Sequence, residues 1–277
     1  MASVLALLSS LVWGTSDFLG GTMSRRKPPI AVIGGSQVIG AALTISFAIL
    51  IGKWDTSNQE VIKWGAASGV LGLIGLLAFY AALSSGRMGI VSPIASIGVI
   101  IPLGLGLLSG EEPSHLQKIG ILIAVTGVVL ASGPELSDRT TAKPVVLALI
   151  AALAFGFAVY FMAKGGQAGN PAMTVATMRI VQISILLLVA VVLRSKGGLT
   201  ATDIPILAAI GITDATANIL FTFASSDGML SIVSVLGSLY PVVTVILAWL
   251  FLKERLQMIQ YVGIFATFIG VISITAG

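Results

Sequence analysis

The stretch SVLALLSSLVWGTSDFLG, Ser3 to Gly20, returns as VVLALIAALAFGFAVYFM, Val145 to Met162. At an offset of 142 residues, Val4, Leu5, Ala6, Leu7, Leu11 and Gly14 recur as Val146, Leu147, Ala148, Leu149, Leu153 and Gly156. Each copy belongs to an apolar run of about twenty residues, the length that spans the hydrocarbon core of a bilayer. Among the differences one changes charge: the first copy carries Asp17 where the second has Val159. An ionisable side chain in such a span is costly, and faces a bundle interior or a water-filled cavity. The scaffold is duplicated and the charge is not, so scaffold alone does not explain the charge.

The duplication runs through the chain. FYAALSSGRMGIVSPIASI, Phe79 to Ile97, aligns at the same offset with FTFASSDGMLSIVSVLGSL, Phe221 to Leu239. A third block, offset by 143, pairs Glu111, Gln117, Gly120, Ile121, Gly127 and Val128 with Glu254, Gln260, Gly263, Ile264, Gly270 and Val271. Ten apolar segments emerge, at about 2–22, 30–51, 62–84, 89–109, 117–133, 144–163, 172–193, 204–225, 230–250 and 258–276. They lack the alternation of a barrel strand, so helices are the spanning form. The expected fold is all-α: ten transmembrane helices in two five-helix repeats, 1–134 and 140–277, joined by the longest connector, Pro134 to Lys143. Five is odd, so the second copy enters the membrane from the opposite side. Such inverted repeats are a recurrent transporter architecture, with the site near the midplane between the halves.

Composition excludes other classes. The 277 residues are 56% hydrophobic and 9% charged, with a mean hydropathy of +1.05, whereas soluble domains carry about 25% charged residues. There is no cysteine, which removes disulfides and thiolate metal ligation. The single histidine, His115, sits in an expected loop, so no metal and no cofactor is expected. The net charge of +4 lies in short loops, a topology signal rather than a nucleic-acid footprint. The first apolar run has no basic leader and reads as the first helix, not a removable signal.

The pattern resembles the drug/metabolite transporter superfamily, in its ten-helix EamA-type branch. Trp13-Gly14 is similar to that family's Trp-Gly in the first helix. The junction before the last helix of each half resembles its Gly-Glu-Arg-Leu motif followed by Gln and Gly: Lys253-Glu254-Arg255-Leu256 with Gln260 and Gly263, and Gly110-Glu111-Glu112-Pro113 with Gln117 and Gly120. Glu112 stands in place of the motif's arginine, and Pro102 falls one turn later than the position marked by Pro241. The resemblance implies a cavity enclosed by the first four helices of each half. It implies an integral, multi-pass protein of a bacterial inner or plasma membrane, working in a lipid bilayer as a monomer or homodimer. It does not specify the substrate.

The polar residues inside the spans are the candidate site. Asp17 has Trp13 one turn before it on the same face. Arg179 lies in the seventh helix with Gln182 three residues on, and its counterpart in the first half is Gln37. Asp214 sits mid-span in the eighth helix, with Asn218 at i+4 and Gly72 as its counterpart. Trp13, Asp17, Gln37, Tyr80, Arg179, Gln182, Asp214 and Asn218 are the expected substrate-binding residues, with Asp17 and Asp214 as proton-coupling candidates. Asp17, Gln37, Arg179 and Asp214 are expected to line one cavity. The competing roles are structural: Arg179 paired with either acid, and Ser92, Ser96, Ser234 and Ser238 as helix-packing residues. Phe79, Phe221 and Tyr240 read as space-filling or interfacial, and Glu111 and Glu254 as caps or loop ion pairs, with gating as the alternative. Gly127 and Gly270 read as close-packing positions, with a protomer interface among the options.

The expected function is a secondary transporter of a small organic solute (metabolite, amino acid or drug), exporting by alternating access with proton coupling. A facilitative exchanger, with Arg179 holding a substrate carboxylate or phosphate, is the close variant. No Walker-type loop is present, so ATP does not drive it directly. An intramembrane enzyme lacks a catalytic constellation, and a channel lacks a filter or charged ring. Loops after the odd-numbered helices hold ten Lys and Arg against four on the other side. That count places both termini outside, whereas the resemblance places them in the cytoplasm; an even number of spans keeps them on one side either way.

Overall fold

The structure is a computed structural model that describes residues 1–86, 88–131, 142–193, 197–252 and 257–277. Arg87, Arg194, Lys196, the motif Lys253 to Leu256 with Glu254, and most of the central connector with Arg139 lie outside the described residues. Twelve α-helices follow in order: α1 (Ala2–Ser24), α2 (Pro29–Leu50), α3 (Gln59–Ser85), α4 (Met88–Ser96), α5 (Ile100–Leu108), α6 (His115–Ala131), α7 (Ala142–Gln167), α8 (Pro171–Leu193), α9 (Ile204–Asp227), α10 (Leu230–Gly237), α11 (Tyr240–Leu252) and α12 (Met258–Ala276). Among the described residues there is no strand. They make ten spans, because α4 with α5 and α10 with α11 are each one broken span.

The sequence pattern reads those two spans as continuous, and here the structure differs. A short 3-10 turn, Ile97–Val99, divides α4 from α5, and Ser238 and Leu239 divide α10 from α11. Proline supplies a reason. Its ring clashes with the carbonyl four residues earlier and cannot accept a continuous α-helix there. Pro102 faces the carbonyl of Gly98, and Pro241 that of Gly237, so both clashes fall at or beside the observed breaks.

Contacts between connectors settle the topology. Lys27 bridges Asp203 at 3.0 Å, joining the connectors after the first and seventh spans. Asn170 donates to the Lys53 carbonyl at 2.8 Å, joining those after the second and sixth. Glu111 reaches the start of α10, joining those after the fourth and eighth. Gly228 packs on Ala2 at the N-terminus, and Gly277 at the C-terminus packs on Ser114. Odd connectors meet odd ones and even connectors meet even ones, with both termini on the even side. Successive spans therefore alternate in direction, and the two halves are inverted repeats.

Packing obeys the same exchange of halves. Ser16 on α1 donates to the Ile210 carbonyl on α9, at 3.2 Å, and Ser68 on α3 donates to the Ala158 carbonyl on α7, at 2.9 Å. These are equivalent contacts, since 158 matches 16 and 210 matches 68. Gly14 lies under the Tyr240 carbonyl and Gly156 under that of Gly98, again an equivalent pair. A Cβ at either glycine would meet backbone, so α1 can approach α11, and α7 the α4–α5 break, only without side chains there.

The last spans of the halves, α6 and α12, pack on each other. Gly120 and Gly127 face Gly270, Ile274 and Thr267; Gly263 and Gly270 face Ala131 and Ala124. Small residues let transmembrane backbones approach closely. Gly127 and Gly270, read as close-packing positions, do pack closely, and they do so within one chain. The outer faces carry exposed Leu116, Leu122, Phe265, Phe268 and Ile272, which suits contact with lipid. A Cβ at Gly127 would fall 2.5 Å from the Thr267 amide nitrogen, whereas one at Gly104 meets nothing within 4 Å. Gly127→Leu should therefore cost about 1–3 kcal/mol through overpacking, while Gly104→Leu should be neutral. Thermal unfolding in detergent compares the two, and equal midpoints would refute the close α6–α12 contact.

The resembled motif has a local structural explanation. The backbone N–H of Ser114 donates to Gln117 Oε1 at 2.9 Å, and that of Gln257 donates to Gln260 Oε1 at 2.7 Å. Each glutamine satisfies an otherwise orphaned donor at the start of α6 or α12. The Glu111 carboxylate accepts the backbone N–H groups of Leu230 at 2.6 Å and Ser231 at 2.8 Å. It caps α10 of the other half, where the helix dipole favours an anion. Glu111 is a cap that ties the two halves together at one membrane face.

Candidate functional site

The centre of the molecule is an ion pair on the axis relating the halves. Arg179 on α8 is 1% exposed. Its Nη2 donates to Asp214 Oδ2 on α9 at 2.8 Å. Its Nη1 donates to Gln182 Oε1 at 3.1 Å and to Gln37 Oε1 on α2. Gln37 and Arg179 occupy the same position in the two repeats, and such a self-equivalent pair can meet only at the symmetry axis. Gln37 also donates through Nε2 to Asp214 Oδ2 at 3.1 Å, and Asn218 donates to Asp214 Oδ1 at 3.1 Å. Asp214 therefore accepts from three side chains. A buried guanidinium with a paired carboxylate and amide oxygens avoids the cost of an uncompensated charge.

Beside this cluster lies a cavity of about 110 Å³ between the halves. Trp13 and Asp17 line it from α1, Ser68, Gly72 and Leu76 from α3, Phe155, Ala158, Val159 and Met162 from α7, Met178, Arg179 and Gln182 from α8, Asp214 and Asn218 from α9, and Tyr240 from α11. Much of the lining comes in equivalent pairs: Trp13 with Phe155, Asp17 with Val159, Gly72 with Asp214, Leu76 with Asn218. In each of the last three pairs one member is polar and the other is small or apolar. The scaffold is symmetric and the chemistry is not. Gly72 also leaves room, since a Cβ there would lie 3.1 Å from Gln182 Nε2.

Asp17 and Asp214 differ in their surroundings. Asp17 is half-buried at the cavity wall and has neither a hydrogen bond nor an ion pair among the described residues. Trp13 lies one turn before it, against Phe221 at a ring-centroid distance of 5.4 Å. The lining thus presents one neutralised ion pair, one unpartnered carboxylate and three aromatic rings.

A second, smaller cavity of about 50 Å³ shares Trp13, Phe155, Val159 and Tyr240 with the first. Most of its other lining comes from the two broken spans, including Ser96, Gly98 and Pro102 from one and Ser234, Gly237 and Ser238 from the other, with Gly156 and Phe221 completing it. The four shared residues line both chambers.

Of the eight residues expected at the site, six line the first cavity: Trp13, Asp17, Arg179, Gln182, Asp214 and Asn218. Gln37 is 1% exposed and stands behind Arg179 as its partner rather than in the lining. Tyr80 is equally buried, with its hydroxyl against Gly20 of α1, and is not among the residues that line the cavity. Tyr240, read from the sequence as a space-filler, lines both chambers. Ser96, Ser234 and Ser238, read as packing residues, line the smaller one. Phe155 and Val159 were findable by adding the repeat offset to Trp13 and Asp17. Ser68 and Met178 carried no such signal, because each is one of many small or apolar residues in a span.

This is a multi-pass membrane protein built as an inverted repeat around a central cavity with a few polar groups in an apolar wall, the form of a transporter. The model of the EamA-like transporter family matches residues 1–133 and 142–276, and the chain belongs to that family, within the drug/metabolite transporter superfamily. An uncharacterized protein of Methanocaldococcus jannaschii is 30% identical over 132 residues, which is 47% of this chain and 96% of that protein. That relative is about the size of one repeat. A crystal structure aligns with a TM-score of 0.78 over 99% of this chain and 96% of its own, at 16% identity, which shows a common fold.

Proposed function

We propose that the protein is a secondary transporter that moves a small organic solute by alternating access and couples the movement to protons through Asp17. The observation that carries this reading is the contrast between the two acids. Asp214 is held by Arg179, Gln37 and Asn218. Asp17 faces the same cavity with no such partner, so it is free to exchange a proton for another ligand. The charged and titratable side chains around it are the Asp214–Arg179 pair, Tyr240 in the lining and Tyr80 packed under α1. The halves would rock about the axis at Gln37 and Arg179, and Trp13, Phe155, Val159 and Tyr240, which line both chambers, are placed to open and close between them. The cavity is completed by one chain, which supports a monomer as the working unit. The exchanger variant gains less support, because both terminal nitrogens of Arg179 are engaged by protein groups.

The test is proteoliposomes loaded with a pH-sensitive dye and challenged with a panel of small organic solutes. At least one solute class should dissipate an imposed pH gradient, and planar bilayers should show no unitary currents. Unitary currents would indicate a channel and overturn the reading.

A further inference from the structure

The charge of the cavity points to its ligand. Arg179 and Asp214 cancel each other at 2.8 Å, so the acid of the cavity lining left without a counter-charge is Asp17, which makes the cavity singly negative whenever its carboxyl group gives up its proton. Around it stand Trp13, Phe155 and Tyr240, and much of the remaining wall is aliphatic or thioether. A single negative charge in a low-dielectric setting repels anions and attracts cations more strongly than it would in water. Aromatic faces add to that attraction, and trimethylammonium groups are well suited to it because they carry little hydration. The apolar wall suits a hydrophobic body attached to the cationic head.

Resting on the transporter reading above, we propose that the cavity selects small organic monocations, an ammonium group binding at Asp17 against the Trp13 and Tyr240 rings. Proton and cation then compete for one carboxylate. No bond is made or broken apart from the O–H bond of the carboxyl group, and the released proton leaves on the side from which the cation enters.

The experiment is calorimetric titration of the purified full chain in detergent with tetramethylammonium, benzyltrimethylammonium, benzyl alcohol and benzoate. At least one of the two cations should bind, more weakly at lower pH, and neither benzyl alcohol nor benzoate should compete. Asp17→Asn should weaken cation binding by more than about tenfold, the loss of one charge-assisted contact, while Asp17→Glu retains most of it. Trp13→Leu should weaken it about threefold or more. Thermal unfolding confirms that each variant is folded. Binding of benzoate as tight as that of the cations, cation affinity unchanged by Asp17→Asn, or no binding of either cation overturns the proposal. Cation binding at Asp17 without pH-driven flux would instead leave this inference standing and sink the proton-coupled reading. Flux of an uncharged solute without cation binding would do the reverse.

Discussion

Asp214→Asn is expected to destabilise the protein by about 3–5 kcal/mol, the usual cost of removing one partner of a buried ion pair. The substitution keeps the shape of the side chain and removes its charge. Arg179, 1% exposed, would then sit in the centre of the molecule with only amide oxygens around it. It cannot snorkel to an interface, because its guanidinium is held on the axis between the two halves. Gln37 and Asn218, which both donate to the Asp214 carboxylate, would lose a charged acceptor as well. Thermal unfolding in detergent measures the loss. Combining Asp214→Asn with Arg179→Gln should recover part of it, since the double variant buries no lone charge. A single variant as stable as the parent would show that the pair contributes no net stability.

Much of this was legible in the sequence. A repeat offset of 142 and an odd number of spans per half require inversion, and the connector contacts agree with it. Asp17, Arg179 and Asp214 stood out because ionisable groups in a span carry so large a cost. The two spans that break, at Ile97–Val99 and Ser238–Leu239, were not legible as breaks. Pro102 and Pro241 marked them, but proline is common in transmembrane helices and a hydropathy pattern does not register a kink. Nor did the sequence choose between Asp17 and Asp214 as the partner of Arg179. That choice depends on the distance between α8 and α9 at one level of the bundle, a tertiary quantity. Tyr240 was hidden for a different reason: an aromatic residue in a span looks the same whether it faces lipid, core or cavity.

The second acid should behave in the opposite way. Asp17→Asn is expected to leave thermal stability within about 1 kcal/mol of the parent, because Asp17 has no partner among the described residues to be orphaned and the isosteric asparagine leaves no cavity and no strain behind. Removing a charge that faces an apolar wall relieves a desolvation cost rather than creating one. Transport driven by a pH gradient should fall to the level of protein-free vesicles, because asparagine binds no proton in the accessible range. Asp17→Glu should retain pH-driven flux at a reduced rate, the longer side chain placing the carboxyl group farther into a cavity of about 110 Å³. Thermal unfolding and pH-driven flux, measured on both acid variants, give the comparison. The expected pattern is a crossed one, with Asp214→Asn damaging stability and Asp17→Asn damaging coupling. Full coupling in a stable Asp17→Asn protein would move the proton elsewhere and leave Asp17 without the role proposed for it. The crossing follows from the duplication. Val159 shows that the scaffold tolerates an uncharged residue at the position of Asp17, and Gly72 shows the same for Asp214. In the first half, however, the counterpart of Arg179 is the neutral Gln37, so Gly72 has no charge to balance, whereas Asp214 must balance one.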